Sequence, residues 1–238
     1  MYDMKALYEA ESVENAVALR LEHPEAQIIA GGSDVLVQMR EGKRAGKELI
    51  SIYGLDELRG VTSADSASTL HAWEAIVELT GKNGVRRLPI KDFYLRAGKV
   101  DIRAEEGEIQ TAILIPKASY ENCFGHYIKY AMRNAMDIAT TGCSVNVVLS
   151  EDKKTIVRAR IAYGVAGPVP MRAPSAEAQA NGRPVCRETV DAFAQAVLQD
   201  IHPRDSWRAS KAFREHIAVE LARRCLIRSI ELAGGAVK

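Results

Sequence analysis

The chain has 238 residues, 47% of them hydrophobic, which is enough to bury the cores of two compact domains or one large one and excludes disorder as the main state. Thirty-two Lys and Arg stand against 31 Asp and Glu, leaving a net charge of +1, so the chain as a whole carries no electrostatic footprint for nucleic acid or an acidic membrane surface. No apolar stretch approaches the ~20 residues of a membrane span, and residues 1–11 mix Asp, Lys and Glu with apolar side chains, unlike a leader peptide, so a soluble cytoplasmic protein is expected.

Residues 12–22 place Val13, Val17 and Leu21 on one helical face, with Ser12 as the N-cap and His23-Pro24 as the stop. A short apolar strand, residues 27–30, then meets a Gly31-Gly32 break, and Ser33-Asp34 leads into a helix through Val35, Leu36, Val37 and Met39. Residues 47–53 (KELISIY) form a strand and 54–60 (GLDELRG) a turn or a single helical turn. The stretch 61–67 (VTSADSA) is small and polar, and residues 74–80 are strand-like. Asn83-Gly84 is the strongest hairpin turn signal in the chain, with residues 86–90 as the return strand. Four strand candidates follow, at 107–117, 127–133, 142–150 and 155–165, and suggest an antiparallel meander.

After Gly167-Pro168-Val169-Pro170 the pattern turns helical: a short run at 175–180, an amphipathic run at 189–199, and a long helix over 210–232. The last repeats Phe213, Ile217, Leu221, Leu226 and Ile230 before Gly234-Gly235. Strands followed by helices argue for a second domain of α+β class, with a boundary near 102–107. The four cysteines lie 20, 43 and 39 residues apart without a C-x-x-C pair, so reduced, partly buried thiols are expected and neither zinc nor an iron–sulfur cluster is.

Two glycines between a strand and a helix let the main chain approach a bulky anion such as pyrophosphate. Asp34 would repel an anion and is better suited to capping the helix or accepting from a hydroxyl. The turn is not G-x-G-x-x-G, so an ordinary Rossmann fold is not expected. In combination, IIAGGSDVLVQMR (28–40), GLDELRG (54–60), TSADSA (62–67), YAMRNAMDIATTGC (130–143) and SWRASKAFR (206–214) resemble the FAD-binding medium subunit of molybdenum hydroxylases, of the bacterial xanthine dehydrogenase type.

That resemblance implies an α+β chain in which a vanillyl-alcohol-oxidase-type FAD-binding domain (1–104) precedes a smaller C-terminal α+β domain (105–238) of antiparallel sheet plus helices. It implies FAD as the cofactor and NAD as the acceptor, with the molybdenum cofactor on a large partner subunit and two [2Fe-2S] clusters on a small one. It further implies that Ile28, Ile29, Ala30, Gly31, Gly32, Ser33, Asp34 and Val35 form the first FAD loop, with Gly31 and Gly32 giving access to the pyrophosphate and Ser33 a hydroxyl donor. Asp65 matches an aspartate near the cofactor, where it would accept from ribose or ribityl hydroxyls; it could equally cap the helix after it. Lys129 matches a position beside the flavin ring, where a cation would stabilise charge at N1 and the C2 carbonyl; an outward lysine on a half-exposed strand is the alternative. Gln110 falls at a largely main-chain contact, and Arg208, Lys211 and Arg214 face either a partner or solvent. No side chain is expected as a proton-transfer or nucleophilic catalyst, because the cofactors perform hydride transfer.

The chain departs from the family between Val61 and Thr62, where the family carries a long stretch ending in a second glycine loop, T-x-G-G-N. No T-x-G-G-N occurs in this sequence. Two functions therefore stand: a flavin electron-transfer subunit, or an assembly subunit that docks partners with impaired FAD binding.

Overall fold

The structure is a computed structural model; it describes residues 3–60, 67–133 and 137–237, with residues 67 and 68 described in backbone only. In chain order the elements are β1 (Met4–Glu9), α1 (Val13–Glu22), β2 (Gln27–Ile29), α2 (Val35–Arg40), β3 (Lys47–Ser51), α3 (Ala67–Ala72), β4 (Ile76–Gly81), β5 (Gly84–Pro89), α4 (Ile90–Phe93), β6 (Tyr94–Arg96) and β7 (Lys99–Val100). They continue with β8 (Ile109–Leu114), α5 (Lys117–Tyr120), β9 (Phe124–Tyr130), β10 (Thr141–Leu149), β11 (Thr155–Gly164), β12 (Met171–Arg172), α6 (Pro174–Ala180), β13 (Arg183–Pro184), α7 (Arg187–Ala196) and α8 (Lys211–Leu232). Two compact units result: Met1–Thr62, Val77–Leu88 and Asp101–Leu114 form the first, and Ser63–Ile76, Pro89–Val100 and Ile115–Lys238 form the second. No helix among the described residues is long and apolar enough to cross a membrane.

In the first unit, β3 runs parallel to both β1 and β2 and is the central strand, with Leu49 and Ile50 buried. Parallel neighbours require a crossover rather than a hairpin, and α1 and α2 supply the two connections. Ser12 caps α1 as its sequence position predicts, accepting from Asn15 N–H at 3.0 Å. Val13, Ala16 and Val17 on the inner face of α1 pack with Ala10, Leu55 and Ile109. That packing explains one difference from the sequence expectation. β8 does not open the meander but pairs with β4 in a separate sheet of order β5-β4-β8, which places Ile109 against α1.

The β4–β5 hairpin turns at Lys82 and Asn83, and Gly84 takes the left-handed φ of +101° at the first residue of the return strand. Beside it lies a charged cluster. Arg86 Nη2 bonds the buried Glu108 carboxylate at 2.8 Å and Nη1 bonds Asp101 at 2.9 Å, while Arg103 N–H donates to Glu108 at 2.7 Å. Burial alone would push Glu108 up, but the Arg86 and Arg103 hydrogen bonds and the Arg86 charge outweigh it and hold Glu108 below the ordinary carboxylate range.

The second unit is built on the antiparallel meander β9–β10–β11, extended by β12 and β13 on β11. β10 is buried on both faces. Alternate residues Cys143, Val145 and Val147 join the core with α8, while Asn146, on the opposite parity, donates to Ala72 O of α3 at 3.0 Å. Small residues of α8 at helical spacing, Ala218, Ala222, Cys225 and Ser229, are fully buried and bring the helix close to the sheet. Tyr163 donates to Ala218 O at 2.7 Å and Ser229 to Val145 O at 2.9 Å. Cys143 and Cys225 are buried, and all four cysteines are free thiols.

The long helix begins as predicted, with Ser210 accepting from Phe213 N–H at 3.2 Å, but its inner face is rotated from the expected one. Phe213, assigned to the apolar face, is 39% exposed, and Arg214 is buried in its place because its guanidinium finds tertiary acceptors.

Ala222→Leu inserts three heavy atoms where the helix meets the core and is expected to cost about 2–3 kcal/mol, read by chemical unfolding followed through Trp73 fluorescence. For Glu108 the folded-state pKa lies below the unfolded one, so its contribution is fully present above the ordinary carboxylate range and is lost as pH falls through the folded value. Stability of the first unit is expected to drop below about pH 4. Arg86→Gln should cost about 2 kcal/mol at neutral pH and move that acid loss to higher pH, measured by far-UV circular dichroism across a pH series.

Candidate functional site

The glycine turn leaves the first unit's sheet at a defined point. Gln27, Ile28 and Ile29 pair in parallel register with Leu49, Ile50 and Ser51, and Ile52 N–H donates to Ile29 O at 2.9 Å, the last rung before the turn. From there the chain carries Ala30, Gly31, Ser33 and Asp34 into solvent. Gly32 has φ +79°, a left-handed conformation that strains any residue with a side chain; a Cβ there would lie 2.8 Å from Leu36 Cδ1, the movable end of that side chain. A Cβ at Gly31 would meet nothing within 4 Å.

Hydrogen bonding in the turn is one-sided. Gly32 O accepts from Leu36 N–H and Asp34 O from Gln38 N–H, each at 3.0 Å. The N–H groups of Gly31, Gly32, Ser33, Asp34 and Val35, by contrast, have no acceptor among the described residues. Five consecutive main-chain donors with open space at Gly31 suit an anionic oxygen cluster such as a pyrophosphate. The Asp34 side chain does not cap α2; Gln38 Nε2 donates to its Oδ2 at 2.6 Å.

Beside the turn, still within the first unit, a cleft of about 480 Å³ takes its lining from Gln27, Ile28 and Gln110 together with Arg20, Arg44 and Lys47. Sequence reasoning did not single out these three cations, which come from α1, from the loop before β3 and from β3 itself. Arg20 Nη1 donates to Ala26 O at 3.2 Å, its Nε is buried without a partner among the described residues, and burial holds it below the ordinary arginine range. Lys47 is turned toward Glu25 at 3.4 Å.

The remaining predicted residues fall elsewhere. Lys129 is an exposed residue of β9, in the second unit, and its Nζ donates to Asp137 O at 2.6 Å. Asp65 lies outside the described residues. Ile28 through Val35 are brought together on the one turn of the first unit.

Residues 2–69 match the family described as the FAD binding domain in molybdopterin dehydrogenase, and residues 126–229 match the CO dehydrogenase flavoprotein C-terminal domain. The chain is 30% identical to the xanthine dehydrogenase FAD-binding subunit of Escherichia coli O157:H7, over 100% of both chains. That alignment runs over 296 positions against 238 residues here, so 58 positions have no counterpart in this chain. Among solved structures, the fold is similar to carbon monoxide dehydrogenase from Hydrogenophaga pseudoflava, with a TM-score of 0.86, 23% identity and 98% of each chain covered. It is likewise similar to quinoline 2-oxidoreductase from Pseudomonas putida 86, with a TM-score of 0.87, 16% identity, and 98% of this chain and 99% of that one covered. With a full-length relative at this identity and both family domains in order, the chain belongs to the family of FAD-binding medium subunits of molybdenum hydroxylases, oxidoreductase subunits built of an FAD-binding domain and an α+β C-terminal domain.

Proposed function

We propose that this chain is the FAD-carrying electron-transfer subunit of a xanthine or purine dehydrogenase-type complex working in the cytoplasm. Electrons would come from iron–sulfur clusters on a small partner subunit, having started at a molybdenum cofactor on a large one, and leave to NAD. The single observation that supports this best is the turn of five main-chain N–H groups without acceptors, on a chain whose relative at 30% identity is an FAD-binding subunit.

The turn fits one half of a dinucleotide clamp. Gly31 and Gly32 let the main chain reach the pyrophosphate, Ser33 adds a hydroxyl donor, and Ile28, Ile29, Ala30 and Val35 hold the turn between strand and helix. Asp34, bonded to Gln38, keeps its carboxylate on the helix. Asp65 would accept from ribose or ribityl hydroxyls, and Lys129 would place a cation at the N1 and C2 carbonyl side of the ring, favouring its reduced, more negative form. When bound, FAD supplies the redox chemistry, taking electrons singly and yielding them as hydride. The chain itself binds, orients and tunes.

The absence of T-x-G-G-N from the sequence, with 58 alignment positions unmatched, favours a second reading in which the chain assembles the complex with weakened FAD binding. The two separate by experiment. The chain purified with its partners is expected to release about one FAD per copy on acid denaturation and to pass substrate electrons to NAD. Gly31→Ala, whose Cβ meets no neighbour within 4 Å in the fold, should leave the unfolding midpoint unchanged yet weaken FAD binding by about tenfold or more. A complex that turns over without flavin in this chain would assign it the assembly role instead.

A further inference from the structure

The second unit holds a hollow of about 360 Å³ that has no role in the flavin assignment. Its lining joins Ile138, Val165 and Pro168 to Arg204, Arg208 and Arg214, and no carboxylate is among the lining residues. Arg214 is only 5% exposed, a setting in which a charged side chain ordinarily has an ionic partner. Its partners here are neutral: Nη1 donates to Thr140 O and Nη2 to Ser206 Oγ at 2.9 Å. Its Nε is buried with no partner among the described residues.

Among the described residues, no ion pair relieves this charge. Neither Arg204 nor Arg208 pairs with a described carboxylate; Arg208 instead lies over the ring of the exposed Trp207, 4.3 Å from its centroid. Asp205 accepts from Lys211 N–H at 2.7 Å, at the start of α8. Burial, then the neighbouring Arg204 and Arg208 charges, hold Arg214 below the ordinary arginine range. Val165, a β-branched residue of the lining, sits at φ +66°, a strained conformation of the kind that collects at ligand sites.

We propose that this hollow binds a phosphate group, free or carried on a small organic molecule, through Arg204, Arg208 and Arg214. Guanidinium groups present paired N–H donors that match a tetrahedral oxyanion, and a multiply charged anion supplies the counter-charge that the protein withholds. The volume lies within the roughly 300–1,000 Å³ of small-molecule sites, and Ile138, Val165 and Pro168 give an organic portion apolar surface to lie against.

The test is calorimetric titration of the full chain with inorganic phosphate, with a nucleoside 5′-monophosphate and with acetate, at constant ionic strength set by chloride. Arg204→Gln and Arg208→Gln, both at positions reached by solvent, are compared with Arg228→Gln, whose residue pairs with Glu231 on α8. Saturable phosphate binding is expected, weakened about tenfold by either of the first two substitutions and unchanged by the third. Tighter binding of the nucleotide with the same dependence on Arg204 and Arg208 identifies a phosphate ester as the occupant; tighter binding of inorganic phosphate identifies the free ion. Absence of saturable binding, equal affinity in all three variants, or acetate binding more tightly than phosphate overturns the proposal.

Discussion

The parallel pairing of β2 on β3 is the constraint on which the candidate site depends. A strand hydrogen-bonded to a buried central neighbour cannot slide without turning its side chains to the wrong face, and Leu49 and Ile50 of β3 are both buried. The Ile52-to-Ile29 bond closes that ladder. Beyond it the turn has no strand among the described residues to donate to, and Gly32, at a positive φ, bends the chain into the start of α2. The five acceptor-free N–H groups are the consequence of ending a strand, turning on glycine and starting a helix within six residues.

The two units present positive potential in different ways. In the first, the donors of the turn are main-chain dipoles, which carry no full charge to desolvate and whose positions are set by the backbone. In the second, Arg214 is a full charge taken out of water and held by a carbonyl and a hydroxyl. Dipoles of this kind can remain hydrated when no ligand is bound, whereas a buried guanidinium beside two others is an expensive arrangement for a chain with no anion to match it. The small residues of α8 set Arg214 in place: with Ala218 and Ala222 against the sheet, the helix lies close enough for the side chain to reach Thr140 O.

Much of the fold was legible in the sequence because its signals are local. Ser12 and Ser210 cap the helices they precede, and residues 124–164 show the apolar strands of the meander. β1 was not legible: its Met4 and Leu7 are exposed at an edge, and its partner β3 lies some forty residues on. The β4–β8 pairing was hidden for the same reason, since register between distant strands is decided by what they bury together, here Ile109 against α1. The glycine turn could be read directly, because a strand, two glycines and a helix start are contiguous. The cleft cations Arg20, Arg44 and Lys47 could not, since they converge only after folding. Helical periodicity placed Phe213 inward and left Arg214 open between partner and solvent; only the tertiary acceptors at Thr140 and Ser206 reverse that order.

The central claim is that the main chain of the glycine turn holds the pyrophosphate of FAD, and amide hydrogen exchange reads those atoms directly. Exchange of the full chain, measured peptide by peptide with and without saturating FAD, should slow by about tenfold or more across Gly31–Val35, because donors that lack acceptors among the described residues gain them from the ligand. Flavin bound at one equivalent with exchange across Gly31–Val35 unchanged would contradict the account and place the cofactor on other residues.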